Sequence, residues 1–329
     1  MLDRLLAEGR PLLADGATGT NLFAMGLKSG EPPEVWNVEQ ADKIQALHRA
    51  FVEAGADLIL TNSFGANRRR LALHGLQGRV RELNRLAAEN ARSAADSAGR
   101  RVVVAGSVGP TGDVFAPLGP LSEDEAVDVF LEQIEGLREG GADVVWIETM
   151  SAAEEMRAAA RAAAKAGMPY TVTASFDTAG RTMMGVAPEA LGALVESFDI
   201  KPVAYGANCG VGASDLLAAV LAMSAADPQA ALIAKANAGV PQWRGAEICY
   251  SGTPELMRAY AGLAIDCGAR IIGGCCGNTP AHVAAMRRAL DGHRPGARPT
   301  VDAIVEALGP LVAPPAAERS ARSRRRERA

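Results

Sequence analysis

The strongest constraint on this chain is an alternation. Short apolar runs rich in β-branched residues end in Gly- or Asn-containing turns, and longer Ala/Leu/Glu/Arg stretches at helical period follow. Eight strand-type runs can be read, at 11–14, 57–61, 101–105, 143–148, 170–175, 203–206, 232–236 and 270–273. Helical stretches lie between and after them, at 40–54, 79–97, 123–139, 152–166, 188–197, 213–225, 254–267 and 280–291. Eight strand–helix units predict an α/β fold of the (β/α)8, or TIM, barrel type. The competing architecture is an open doubly wound sheet, which calls for a G-x-G-x-x-G turn after the first strand. Asp15-Gly16-Ala17-Thr18-Gly19-Thr20 carries glycines at a different spacing.

Local signals agree with these elements. Ser122 and Glu125 form a capping-box pair ahead of a helical run. Thr253-Pro254 and Thr279-Pro280 each place an N-cap residue before proline at the first helical position. Gly55-Ala56-Asp57 and Gly141-Ala142-Asp143 end one helix and lead straight into the next strand.

Composition narrows the class. With 329 residues, 48% hydrophobic and 22% charged, the chain can bury a large core. A formal net charge of −4 speaks against a nucleic-acid partner. No apolar run reaches the ~18 residues of a membrane span, and the first residues lack a signal-peptide pattern, so the expected location is cytoplasmic. Residues 1–293 are expected to form the single barrel domain, and 294–329 a linker, one short helix at 301–308 and an Arg-rich tail. That tail, 316–329, is expected to be disordered and solvated. The oligomeric state, a homo-oligomer included, is left open.

In such a barrel the chemistry gathers at the C-terminal strand ends. Read there, the chain offers Asp15-Gly16, Thr61-Asn62-Ser63-Phe64, Gly106-Ser107, Glu148-Thr149, Ser175-Phe176-Asp177, Asn208-Cys209, Asn237-Ala238-Gly239 and Gly273-Gly274-Cys275-Cys276-Gly277. The five cysteines are odd in number and two are adjacent, which makes a poor disulfide framework. Cys209, Cys275 and Cys276 together suit Zn²⁺, with three thiolates at ~2.3 Å and a fourth position open to substrate. A vicinal disulfide is the minor alternative, and Cys249 and Cys267 are read as packing residues. Sulfur ligands keep such a site electron-rich, so a thiol entering it loses its proton yet stays nucleophilic.

Other rim residues admit more than one reading. Asp15 and Glu148 suit an ammonium group, an acid/base pair or helix capping. Backbone N–H groups from Gly16 to Thr20 suit a carboxylate. Asn237 reads as a fourth zinc ligand in the absence of substrate, or as a turn residue before Gly239. Trp36, Phe64 and Phe115 suit an organic-cation pocket or ordinary loop packing. His48, His74, His282 and His293 are assigned surface or packing roles.

These motifs resemble the homocysteine S-methyltransferase family. The resemblance rests on Asp15 to Thr20, Thr61-Asn62-Ser63-Phe64-Gly65-Ala66-Asn67, Gly106-Ser107-Val108-Gly109-Pro110-Thr111-Gly112, Asn208-Cys209-Gly210 and Gly273 to Gly277, and covers about residues 8–292. The family includes betaine–homocysteine methyltransferases and the homocysteine-binding module of cobalamin-dependent methionine synthase. The resemblance implies catalytic zinc on Cys209, Cys275 and Cys276. It also implies that Asp15 and Glu148 bind the homocysteine amine, that Gly16, Ala17 and Thr18 hold its carboxylate, and that Asn237 matches an asparagine at zinc's fourth site. Methionine is the implied product, with betaine or a similar onium as methyl donor. Gly65 and Thr149 stand where betaine enzymes carry aromatic residues, and 61–71 is similar to the cobalamin-type modules. One alternative is therefore the homocysteine-activating subunit of a split methionine synthase, served by a cobalamin-carrying partner. Another is a non-enzymatic zinc-binding or redox-sensing barrel.

Overall fold

The computed structural model describes residues 1–244, 247–294 and 296–313, with the backbone alone at 241, 243, 244 and 247–249. Its eight barrel strands are β1 (Leu12–Leu13), β2 (Leu58–Leu60), β3 (Val103–Val108), β4 (Val144–Met150), β5 (Tyr170–Ala174), β6 (Ala204–Cys209), β7 (Leu232–Ala236) and β8 (Ala269–Gly274). They form one parallel sheet in the order β1-β8-β7-β6-β5-β4-β3-β2. A parallel bridge between Ala14 and Leu58 joins the two ends of that order. The predicted (β/α)8 barrel is the observed fold.

Side chains alternate along each strand, so every second residue points inward. Leu12, Ala14, Leu58, Leu60, Val103, Ala105, Val144, Trp146, Ala204, Ile233 and Ile271 fill the interior as one apolar cluster. A short helix, Leu2–Ala7, adds Leu2 and Leu5 to that cluster and stoppers the barrel at its N-terminal end. The sequence pattern had not suggested this helix. Continuing the same alternation, Ser107, Glu148, Thr173 and Lys235 come next on the inward face, and all four are buried. The barrel is thus apolar below and polar at its mouth.

The larger outer core lies between the sheet and its helices. Ser122 accepts the Glu125 N–H at 3.2 Å, which is one half of the expected capping box. Thr253 accepts from Leu256 at 3.2 Å. Thr279 and His282 cap each other's backbone, so His282 serves as a helix cap and also reaches Gly252 O at 2.9 Å. The two Gly-Ala-Asp junctions behave alike. Asp57 donates its N–H to Leu13 O and accepts the Leu13 N–H, and Asp143 does the same with Val104.

The helix Val301–Leu308 forms where expected and packs Ile304 and Leu308 into the outer core. Asp215 then accepts the N–H groups of Val312 and Ala313 at 2.9 and 2.8 Å. The Arg-rich stretch lies outside the described residues. Among the described residues, no helix is long and apolar enough to cross a membrane.

Candidate metal centre and active site

Strand register brings the three cysteines together. Cys209 of β6 lies beside Ala236 of β7, and Gly274 of β8 lies on the other side of Ala236. The cysteine at the end of β6 and the pair just after β8 therefore face each other across one strand. Their Sγ atoms all lie within 4.8 Å of one another, each residue half-buried. Sulfurs around a tetrahedral zinc at ~2.3 Å are ~3.8 Å apart, so this spacing fits zinc with little movement.

The local backbone is specialised for this placement. Cys209 has φ +61°, a left-handed conformation rare for a residue with a side chain. Gly277 has φ +80°, and a Cβ there would lie 2.4 Å from the Tyr250 ring. The pair Cys275-Cys276 thus turns away on a glycine that lets Tyr250 pack against it.

The thiols share protons unequally. Hydrogen bonds from Cys209 and then Cys275 favour the Cys276 thiolate and lower its pKa to about 3. Hydrogen bonding to Cys275 and Cys276 holds the Cys209 proton and raises its pKa far above the thiol range.

Two asparagines hold the loops that carry these thiols. Asn237 donates to Gly210 O at 2.8 Å and accepts the Cys276 N–H at 3.1 Å. Its amide ties the β6 loop to the β8 loop. Asn208 accepts from the Thr149 N–H at 2.8 Å and from Thr173 at 2.7 Å, and donates to Thr149 Oγ1 at 2.7 Å. That network holds Thr149 at φ +61°, an outlier for a β-branched residue, directly after Glu148.

Beneath the thiols lies the polar floor. Glu148 is 7% exposed and accepts a hydrogen bond from Ser107. Burial, then the neighbouring Cys275 charge, raises its pKa to about 7. Asp15 is fully buried, accepting from Leu60 N–H on one oxygen and from Lys235 Nζ on the other, each at 2.7 Å. Burial raises the Asp15 pKa despite that lysine. For Lys235, burial alone would lower the pKa, but the charges of Asp15 and Glu148 more than reverse this.

Asp15, Glu148, Cys209, Cys275, Cys276 and Asn237 therefore lie close together at the barrel mouth. The loop after β1 differs from expectation. Ala17 spends its N–H on Asn278 O at 3.0 Å and is not available to a carboxylate. A Cβ at Gly16 would lie 2.5 Å from that same Asn278 oxygen, so this loop is pressed against the one after β8. The three proposed cage aromatics separate: Trp36 and Phe115 are buried in the outer core, Lys43 Nζ sits 4.6 Å from the Trp36 ring centre, and only Phe64 is exposed. Cys267 is buried packing, as expected, while the Cys249 side chain lies outside what is described.

Sequence reasoning read Ser107 and Asn208 at the rim without giving them a role, and missed Tyr250 and Lys235 altogether. The signal for Lys235 was present. A lysine next to last in the apolar strand Leu232-Ile233-Ala234-Lys235-Ala236 is out of place unless it has a buried partner.

Comparison with known proteins agrees with this architecture. The family model described as homocysteine S-methyltransferase matches residues 12–290. The methionine synthase of Mycobacterium tuberculosis is 32% identical over 301 residues, covering 85% of this chain and 25% of the relative. That of Mycobacterium leprae is 32% identical over 310 residues, covering 87% and 25%. The chain thus spans about a quarter of the length of these relatives. Among solved structures, the metallated form of the homocysteine methyltransferase MmuM from Escherichia coli matches with a TM-score of 0.70 and 27% identity, over 87% of this chain and 99% of that one.

Proposed function

This chain belongs to the homocysteine S-methyltransferase family, and from that premise we propose that it methylates the sulfur of homocysteine to give methionine, with zinc on Cys209, Cys275 and Cys276. The observation that carries the reading is the cluster of three sulfurs within 4.8 Å, placed directly over a buried polar floor. Three protein sulfurs leave tetrahedral zinc one open position, whereas four would close it. MmuM, to which the chain is similar, was solved in a metallated form.

Zinc held there would supply the charge that favours a substrate thiolate, while its three sulfur ligands keep that thiolate nucleophilic. The protein's residues do the rest. Asn237 and Asn208 fix the loops that aim the three cysteines. Glu148, with Ser107 behind it, faces the amino-acid end of the substrate, and Asp15 lies at the same depth. The tight loop around Gly16 and Thr18 bounds the carboxylate. The substrate sulfur attacks the donor's methyl carbon. A new S–C bond forms as the bond from carbon to the positively charged donor atom breaks, and the donor leaves neutral.

The donor is read as a small onium, with Phe64 as the exposed aromatic face at the mouth. Betaine is the first candidate and a methylsulfonium the second. A further reading, methyl delivery from a cobalamin-carrying partner, is favoured by a specific pair of observations. Trp36 and Phe115 are buried and cannot complete an aromatic cage, and the matched relatives are methionine synthases. The reading places its action in the cytoplasm, because zinc ligation by cysteines calls for reduced thiols. The test is direct: zinc-loaded protein receives homocysteine with betaine, a methylsulfonium or methylcobalamin, and methionine is measured. Methionine from betaine or the sulfonium supports the onium reading. Methionine from methylcobalamin alone replaces it with the partner reading, and no methionine from any donor overturns the methyltransferase assignment.

A further inference from the structure

The polar floor contains a cation of its own. Lys235 and Asp15 side chains are 2% and 1% exposed, and Nζ lies 2.7 Å from Oδ1. The lysine's other surroundings are the Trp146 ring, 5.9 Å away at its centre, with Glu148 and Cys275 as the further charges facing it. Asp15's second oxygen accepts the Leu60 N–H. The carboxylate that the motif comparison assigns to a substrate ammonium is therefore neutralised by the protein itself. An incoming ammonium meets a carboxylate whose charge is already paired and a like charge beside it, in a site where burial strengthens both effects. A carboxylate on the substrate meets no such penalty, since the ammonium of Lys235 has three N–H donors and Asp15 accepts through one oxygen.

We propose that Lys235 is a specificity-determining residue: it stands in for the substrate's ammonium on Asp15, so the site takes carboxylate-terminated thiols whether or not they carry an α-amino group. The inference rests on the proposed metal-centred thiol site and names the substrate class of that site. It predicts that 4-mercaptobutyrate, which is homocysteine without its amino group, is a competent ligand.

The test reads binding rather than turnover. Cobalt(II)-substituted protein is titrated with homocysteine and with 4-mercaptobutyrate, following the sulfur-to-cobalt charge-transfer absorption. For the wild type the two dissociation constants are expected to lie within about threefold of each other. In Lys235→Met, which keeps the length and removes the charge, homocysteine is expected to gain about tenfold relative to 4-mercaptobutyrate. A wild-type preference for homocysteine of about tenfold or more, with a ratio unmoved by the substitution, overturns the inference and leaves the metal site intact. If neither thiol perturbs cobalt in the wild type, the proposed function itself fails, and this inference with it. Lys235→Gln repeats the measurement should the methionine variant not fold, and the wild-type comparison needs no variant.

Discussion

Buried carboxylates sit at both ends of this barrel, in different company. At the N-terminal end Asp57 receives both arms of the Arg10 guanidinium at 2.9 and 3.0 Å, Arg287 at 3.1 Å and the Leu13 N–H at 2.8 Å. Asp143 is likewise held by Arg92 and by the Val104 N–H. At the mouth, Glu148 has Ser107 and a pKa raised to about 7, and Asp15 depends on one buried lysine. The difference teaches what each end is for. Where donors saturate a carboxylate, it acts as a joint between adjacent strands. Where burial outruns the available partners, as at Glu148, the group is left with affinity to spend on a ligand.

Substitutions can break this contrast, and the largest effect belongs to the thiols. Cys276→Ser should lower turnover on the order of a thousandfold and strip the metal, with unfolding stability in the metal-free state nearly unchanged. Metal analysis beside urea titration checks both. At the opposite end, Asp57→Ala should cost about 3 kcal/mol, because two arginines and one N–H lose their shared partner. The partial exposure of Arg10 keeps that figure at the low end. Zinc content per folded chain should not change. A loss of zinc at equal folding would erase the distinction between the two ends.

His48 tests whether an unmatched buried group matters away from the mouth. It is fully buried in the helix Ala41–Glu53, neither ring nitrogen has a partner among the described residues, and burial lowers its pKa from 6.5 to about 4. The unfolded chain therefore binds more protons than the folded one between those values. The stability this group contributes is complete above about pH 6.5 and is lost as pH falls towards 4, roughly 3 kcal/mol in all. His48→Leu should flatten that acid limb in urea titrations run across the range. Glu148 acts with the opposite sign. Its raised pKa makes stability fall as pH rises from about 4.5 to 7. Glu148→Gln should remove that slope and weaken homocysteine binding by about threefold, with zinc affinity nearly unchanged. Equal losses of zinc and thiol would deny it a place on the substrate side. The smallest effect is expected at Ser122, whose single cap bond makes Ser122→Ala cost about 1 kcal/mol and leaves activity untouched.

Much of this was legible in the chain because periodicity is a local signal. The strand read at 232–236 is observed as Leu232–Ala236, and the helix read at 123–139 as Glu123–Glu139. The cysteines were legible because strand ends in a barrel meet at one rim. Other features depend on contacts that no local pattern encodes. Leu2–Ala7 is too short to announce itself, and its purpose exists only once the barrel has an open lower end. Trp36 and Phe115 looked available after their strands, but Trp36 opens the short helix Trp36–Glu39 and both pack into the outer core. Lys235 was visible as a charge in an apolar strand, yet its partner, Asp15, lies 220 residues away in the chain.

The central claim is an open three-sulfur metal centre that accepts the substrate's sulfur as the fourth. Zinc K-edge X-ray absorption on the purified protein, before and after homocysteine, tests it most directly. The account predicts three sulfurs and one lighter atom at rest, becoming four sulfurs when the thiol is added. Four sulfurs at rest, or a resting spectrum that homocysteine leaves unchanged, would contradict it.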